Sequence, residues 1–342
     1  MVRPVVTVPI FAVHGLLDGA RDKGLATESW ISSVLGRAGI VESLLHLTQS
    51  RVTVNQYIAL FSAVKDSLDD ECLGYLRGRP LRCGSFALVA RSTLGTRTLA
   101  AALHRVSESF ALLQDDVLLV PVTDGSLFGV TLESRGGPGE HADFLHGLLL
   151  RVFWRLLVWL HGGRLVPKGF DFPFEQPAHA EDYARIFSGS LRFGQRCPAV
   201  WFDSTASAQP MRRDAVALQS FLRAAPGNLV GYRLNERAYS ARVRALLQQV
   251  CPEWPDLAAA AQCLHMSVSA LQRHLAMEGQ SFQMVKDELR RDMAIVRLAS
   301  TNAPLSIIAA ELGFTDSTAF QRAFKSWTGS APGAYRSHSR SA

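Results

Sequence analysis

The chain has 342 residues, of which 48% are hydrophobic and 19% charged, and a formal net charge of +6. That composition describes a globular protein long enough for about two ordinary domains and excludes extended disorder. The positive charge permits an anionic partner without requiring one.

The five cysteines at 72, 83, 197, 251 and 263 are odd in number and never spaced Cys-x-x-Cys. That pattern argues against a disulfide framework or a zinc site and points to a reducing cytoplasm. At the N-terminus Arg3 and the apolar run Val5 to Val13 resemble the start of a signal peptide. No small-residue cleavage site follows before Asp18, Arg21, Asp22 and Lys23, so secretion is not expected. Residues 1 to about 80 read as mostly helical. Trp30, Ile31, Val34 and Leu35 recur at helical spacing, as do Tyr57, Leu60, Phe61 and Val64, and core packing is the expected role of both sets.

Gly84 to Ala90 is a short strand candidate and Thr98 to Leu113 a helix. Val117 to Val122 and Leu127 to Leu132 flank Thr123-Asp-Gly-Ser126 as the arms of a hairpin, so the region reads as an antiparallel α+β arrangement. Arg135 to Gly139 is a surface loop. A long apolar helix follows from His141 to Leu160, interrupted by His146, Arg151 and Arg155 and short of the ~20 uninterrupted apolar residues of a membrane span. Arg151 and Arg155, four apart, are expected to form a solvated stripe. Lys168 to Pro177 is extended, His179 to Phe187 helical, Cys197 to Phe202 a strand and Arg212 to Leu222 a helix, before Ala225-Pro-Gly-Asn228 breaks the chain.

From Trp254 to Trp327 one short pattern occurs twice. Ala261, Leu264 and Met266 pair with Ala309, Leu312 and Phe314 at an offset of 48, and Ala270, Leu271, Gln272 and Arg273 with Ala319, Phe320, Gln321 and Arg322 at 49. Each copy is a helix, a tight turn and a second helix, the arrangement of a helix-turn-helix reader of DNA. Ser267 can cap the second helix of the first copy and Thr315 or Asp316 that of the second, while Gly313 supplies the turn. Leu271 and Leu275 face inward, which leaves Ser269, Gln272 and Arg273 outward, and in the second copy Ser317, Thr318, Gln321 and Arg322. Arginine can bind guanine and glutamine adenine in a bidentate way. Ser281 to about Ser300 forms a linking helix of roughly 30 Å, close to the ~34 Å between major-groove segments on one side of a duplex. From Cys251 onward nine basic residues face eight acidic ones. Binding therefore has to come from placed side chains and helix ends.

No catalytic constellation rises above background: His141 and His146 are five apart, and there is no Gly-x-Ser-x-Gly, Walker loop or dinucleotide fingerprint. Neither a cofactor nor a metal is expected.

The run Ile308-Ala-Ala-Glu-Leu-Gly-Phe-Thr-Asp-Ser-Thr-Ala-Phe-Gln-Arg-Ala-Phe-Lys-Ser-Trp-Thr-Gly329, with Pro332 and Tyr335-Arg336, resembles the AraC/XylS family of bacterial transcription regulators. His265 departs from it, since members commonly carry glycine in the first turn. Less specifically, Gly84-Ser-Phe, Pro177 with Tyr183 and Phe187, and Arg213-Asp214 resemble the N-terminal domain of the arabinose-binding branch. The resemblance implies an α+β effector-binding and dimerisation domain over residues 1–225, a linker over 226–239 and an all-α double helix-turn-helix domain over 240–342. It also implies base-facing roles for Ser269, Gln272, Arg273, Ser317, Thr318, Gln321 and Arg322. The partners implied are double-stranded promoter DNA, a small-molecule effector of unknown identity, a second copy in a homodimer and, for an activator, RNA polymerase. Two alternatives are a DNA-binding regulator without a ligand and a methyl-accepting repair protein of the Ada type. The latter needs Pro-Cys-His, whereas Cys197 and Cys251 precede proline without that motif.

Overall fold

Thr7–Pro9 (β1) is the first regular element in a computed structural model that describes residues 5–135, 142–177, 180–211, 213–231 and 238–336. By internal contacts the described chain falls into two units. Residues up to Val13, Leu35–Tyr57 and everything from Ala238 onward form the first; His14–Val34 and Ile58–Gly231 form the second.

After β1 come helices α1 (Ile10–Asp22) and α2 (Glu28–Ala38), strand β2 (Arg51–Thr53) and helix α3 (Val54–Leu68). Tyr57, Leu60 and Val64 of α3 are fully buried and Phe61 nearly so, the core role their spacing implied. Helix α4 (Ser85–Ser92) occupies the stretch expected to be a strand. Gly84 ahead of it has φ +99°, and the Glu71 carboxylate accepts the amides of Gly84 at 2.8 Å and Phe86 at 2.7 Å. A distant carboxylate thus caps the helix and overrides a weak local preference. Helix α5 (Leu99–Leu113) starts as expected, with the Thr98 hydroxyl accepting the Ala101 amide.

The hairpin forms from β3 (Val117–Asp124) and β4 (Leu127–Ser134), joined at Gly125 and Ser126 with Val117 opposite Ser134 and Asp124 opposite Leu127. The expected loop over 136–139 lies outside the described residues, as does His141. Helix α6 (Ala142–Leu160) follows, then β5 (Gly169–Asp171), α7 (Ala180–Ile186), β6 (Ser190–Arg192) and β7 (Ala199–Asp203). His179 and Arg212 are outside the described residues. Five strands make one sheet in the order β3-β4-β7-β5-β6, antiparallel except for β5 with β6. Its alternating residues Val117, Leu119, Phe128, Val130, Leu132, Val200 and Phe202 are buried, as a sheet with one covered face demands. Helices α8 (Ala215–Arg223) and α9 (Gly227–Val230) close the unit. Asp214 caps α8, and Arg213 donates to the Trp159 carbonyl at 3.0 Å.

The solvated arginine stripe on α6 is not found. Arg151 is buried, and Arg155 Nη1 donates to the carbonyls of Asn228, Leu229 and Gly231 at 3.3, 2.8 and 2.6 Å. Both faces of this helix are covered, so its cations take internal partners.

From Ala238 the chain is helical: α10 (Tyr239–Val250), α11 (Leu257–Cys263), α12 (Val268–Met277), α13 (Phe282–Ser300), α14 (Leu305–Glu311) and α15 (Ser317–Thr328), closed by a 3-10 turn at Pro332–Tyr335. The order is thus α+β followed by all-α. No helix of the described residues is long and apolar enough to cross a membrane.

Within the first unit β1 pairs antiparallel with β2, Thr7 opposite Thr53 and Pro9 opposite Arg51. A buried charge network ties this ribbon to α10 and α13. Asp292 accepts from the Thr7 hydroxyl at 2.5 Å and from Arg244, and lies 3.2 Å from Arg291. Arg244 also donates to the Val5 carbonyl, and Arg51 Nε to the Thr7 hydroxyl at 2.8 Å. Burial alone would push the Asp292 carboxyl up. The guanidinium groups of Arg291, Arg244 and Arg51, with the Thr7 hydroxyl, outweigh it and hold the group well below the ordinary carboxylate range.

Candidate nucleic-acid interface

Each helix pair is organised by a hydrogen-bonded turn that repeats in the second copy. Met266 donates its amide to the Ala261 carbonyl and Phe314 to that of Ala309, both at 2.9 Å; His265 donates to Gln262 and Gly313 to Ala310, both at 3.0 Å. The two turns therefore superimpose at an offset of 48. The helix caps superimpose at 49: the Ser267 hydroxyl accepts the Ala270 amide, and the Asp316 carboxylate accepts those of Thr318 and Ala319. The added residue is Thr315, which stands between Phe314 and the cap where Met266 leads directly into Ser267. The Asp316 carboxyl is held below its ordinary value first by the Ala319 amide and then by that of Thr318.

His265 has φ +56° and Gly313 φ +71°. The histidine in the first turn has taken up the left-handed conformation that the second turn gives to glycine, at a steric cost of about 1 to 2 kcal/mol. The geometry of the first reader is kept despite the departure.

In α12 Leu271 and Leu275 are buried, as are Phe320 and Phe324 in α15. The opposite faces carry Ser269, Gln272 and Arg273 on α12 and Thr318, Gln321 and Arg322 on α15, all exposed, with Ser317 half-buried. The structure therefore brings the seven sequence-derived residues onto two outward helix faces, three on one and four on the other. No ion pair among the described residues takes up Arg273 or Arg322.

Helix α13 has 19 residues, a rod of about 28 Å. Its Arg290 holds the two helix pairs together, which sequence reasoning missed. The guanidinium lies 5.1 Å from the ring centroids of both Trp254, ahead of α11, and Phe314, in the second turn, and donates to the Leu312 carbonyl at 3.2 Å. A Cβ on Gly313 would come within 2.9 Å of Trp254, so this glycine serves close packing as well as the turn. Arg297 forks onto Glu311 at 2.7 and 2.5 Å and fastens α14 to the same rod. The available signal was a tryptophan before one motif and a glycine inside the other, which no local pattern connects.

The second unit contains a cavity of about 270 Å³, walled by α3, α4, α5 and α6 and by the segment from Leu222 to Val230. Apart from it, Phe170, Phe172, Phe174, Tyr183, Phe187 and Phe193 pack ring against ring. Burial first, then the Asp143 charge, pushes the Tyr183 phenol up to about 12. Tyr183 and Phe187, noted in the sequence, thus belong to an aromatic core, while the Pro177 carbonyl accepts the Ala180 amide at the start of α7. Among the described residues no group of histidine, cysteine and carboxylate side chains is placed to hold a metal.

Residues 31–211, more than half of the chain, match the arabinose-binding N-terminal domain of AraC transcription regulators, and residues 260–338 match a helix-turn-helix domain. The chain is similar to the ornithine utilization regulator of Pseudomonas aeruginosa, 26% identical over 329 residues that cover 96% of both chains. It is also similar to the HTH-type transcriptional regulator VqsM of the same organism, 30% identical over 95 residues, 28% of this chain and 29% of that one. Among solved structures it aligns with the transcriptional regulator CdpR from Pseudomonas aeruginosa, with a TM-score of 0.34 and 18% identity over 95% of this chain and 98% of the other. Both sequence relatives are named as regulators, VqsM as a transcriptional one. With an arabinose-binding-type domain matched over more than half of its length and a helix-turn-helix domain matched after it in sequence, the chain belongs to the AraC family of DNA-binding, helix-turn-helix transcription regulators.

Proposed function

We propose that this regulator is controlled by a small-molecule effector and reads two adjacent major-groove segments of promoter DNA. Ser269, Gln272 and Arg273 would read one segment, and Ser317, Thr318, Gln321 and Arg322 the next. The observation that carries the reading is the pair of capped helices with outward Gln-Arg faces, joined by a rod of about 28 Å against the ~34 Å groove spacing. Residues 1–225 serve effector binding and dimerisation, 226–239 link, and 240–342 bind DNA. The working form is a cytoplasmic homodimer, which as an activator contacts RNA polymerase. The relative named for ornithine utilization makes ornithine the first effector to test.

The test selects the preferred duplex from a random pool and repeats the titration with Arg273→Ala and Arg322→Ala. Each substitution is expected to cost about 1 to 3 kcal/mol on the selected site and to relax base preference at one segment only. Footprints unchanged in both variants would reject the orientation. The near balance of charge from Cys251 onward predicts a salt dependence shallower than that of a protein making ~10 phosphate contacts.

A further inference from the structure

We propose that the cavity of the second unit takes an uncharged, largely apolar small molecule, a ring system or branched hydrocarbon with at most a hydroxyl, and that its occupancy sets the order of the segment Ala225–Gly231. This deepens the effector-controlled reading above and rests on it.

The walls define the chemistry. Phe61 of α3, Phe86 of α4, Phe110 of α5 and Leu149 and Phe153 of α6 present hydrocarbon, in a volume of about 270 Å³ that is near the small end of ligand sites. The polar groups at its edge are already engaged. Ser62 donates to the Ile58 carbonyl at 3.0 Å, Lys65 to Asp66 and to the Cys83 sulfur, and Glu71 accepts the two amides that start α4. Burial pushes the Cys72 thiol well up, so it stays neutral. A charged ligand would lose its hydration without gaining an uncommitted counter-ion, whereas an apolar one gives up only unfavourable contact with water. Ornithine, with its charged amine and carboxylate groups, is therefore a poor occupant.

The remaining wall is the coupling element. Pro226, Leu229 and Val230 line the cavity, and α9, which carries the last two, is held by Arg155, three residues along α6 from the lining Val152. Arg155 gathers the carbonyls of Asn228, Leu229 and Gly231. A Cβ on Gly231 would come within 2.6 Å of the Gly227 carbonyl oxygen, so the turn closing the segment is tight. The same α6 thus touches the ligand space and clamps the backbone up to Gly231, which in sequence precedes the DNA-binding domain. A molecule packed against Leu229 and Val230 restrains that backbone.

The experiment uses the full chain and the neutral fluorophore N-phenyl-1-naphthylamine. The expected result is saturable single-site fluorescence, weakened at least about tenfold in the cavity-filling variants Leu149→Trp and Ala87→Leu, each confirmed as folded by circular dichroism. Excess ornithine should not displace the probe. Hydrogen exchange of the Ala225–Gly231 amides should slow on binding, and Arg155→Lys should keep probe affinity within about twofold while losing that slowing. Probe binding indifferent to both filling variants, displacement by ornithine, or unchanged exchange over the segment would overturn the proposal. Probe binding and slowed exchange with no effect on DNA affinity would instead reject effector control and leave the cavity assignment standing.

Discussion

Replacing Asp292 by Asn tests the buried network that joins the N-terminal ribbon to α10 and α13. The Asp292 and Arg244 side chains are only 4% and 5% exposed, and the substitution keeps the shape while removing the charge. Arg244 is left as a buried cation with the Val5 carbonyl as its other acceptor, and Thr7 loses an ionised partner. Breaking a buried pair in this way costs about 3 to 5 kcal/mol. Hydrogen-exchange free energies of α10 and α13 amides at pH 7 report the loss in the right unit. The pH dependence gives a second check. The folded carboxyl is held below its ordinary value, so the unfolded state takes up the proton first on acidification. The stabilisation is full above the unfolded pKa of about 3.9 and is lost as the pH falls below it, so the gap between wild type and Asp292→Asn should narrow below pH ~4. A loss under about 1 kcal/mol, or a gap constant between pH ~7 and ~2.5, would refute the reasoning.

The same network predicts that a fragment starting at Ala238 exchanges its α10 and α13 amides faster than the full chain, and that adding a peptide of residues 5–13 in excess slows them again; equal rates throughout would count against it. Gly313→Ala places a methyl 2.9 Å from Trp254 at φ +71° and should cost about 1 to 3 kcal/mol in urea unfolding, with a changed near-ultraviolet signal from Trp254. His265→Gly relieves a left-handed histidine and should stabilise by up to about 1 kcal/mol, the relief being partly offset by the greater freedom of glycine in the unfolded chain.

Much of the proposed DNA-reading face was legible because its determinants are local. Ser267 and Asp316, one and two residues after Met266 and Phe314, cap the helices that follow, and the inward stripe Leu271, Leu275 leaves Gln272 and Arg273 outside by the helical period alone. The hairpin from Val117 to Ser134 was legible for the same reason: two short apolar runs on either side of a glycine-containing turn pair with each other. Where a remote group intervened, local reading failed. Gly84 to Ala90 became helix because Glu71, more than ten residues away, caps it, and Arg155 of α6 turned inward because α9 and the Gly231 after it offer it three carbonyls.

By itself the sequence determined the class of the protein, the doubled motif, the length of the rod between its copies and the identity of the outward side chains, since each follows from spacing within a single helix or turn. Only the tertiary structure decided that Arg290 would sit between Trp254 and Phe314, that Asp292 would bind Thr7 from the far end of the chain, and that a small apolar cavity would lie beside α9. These depend on which groups meet when distant segments exclude water together. A one-dimensional pattern does not carry that information, because burial makes a lone charge or an empty space consequential only after the partners are in place.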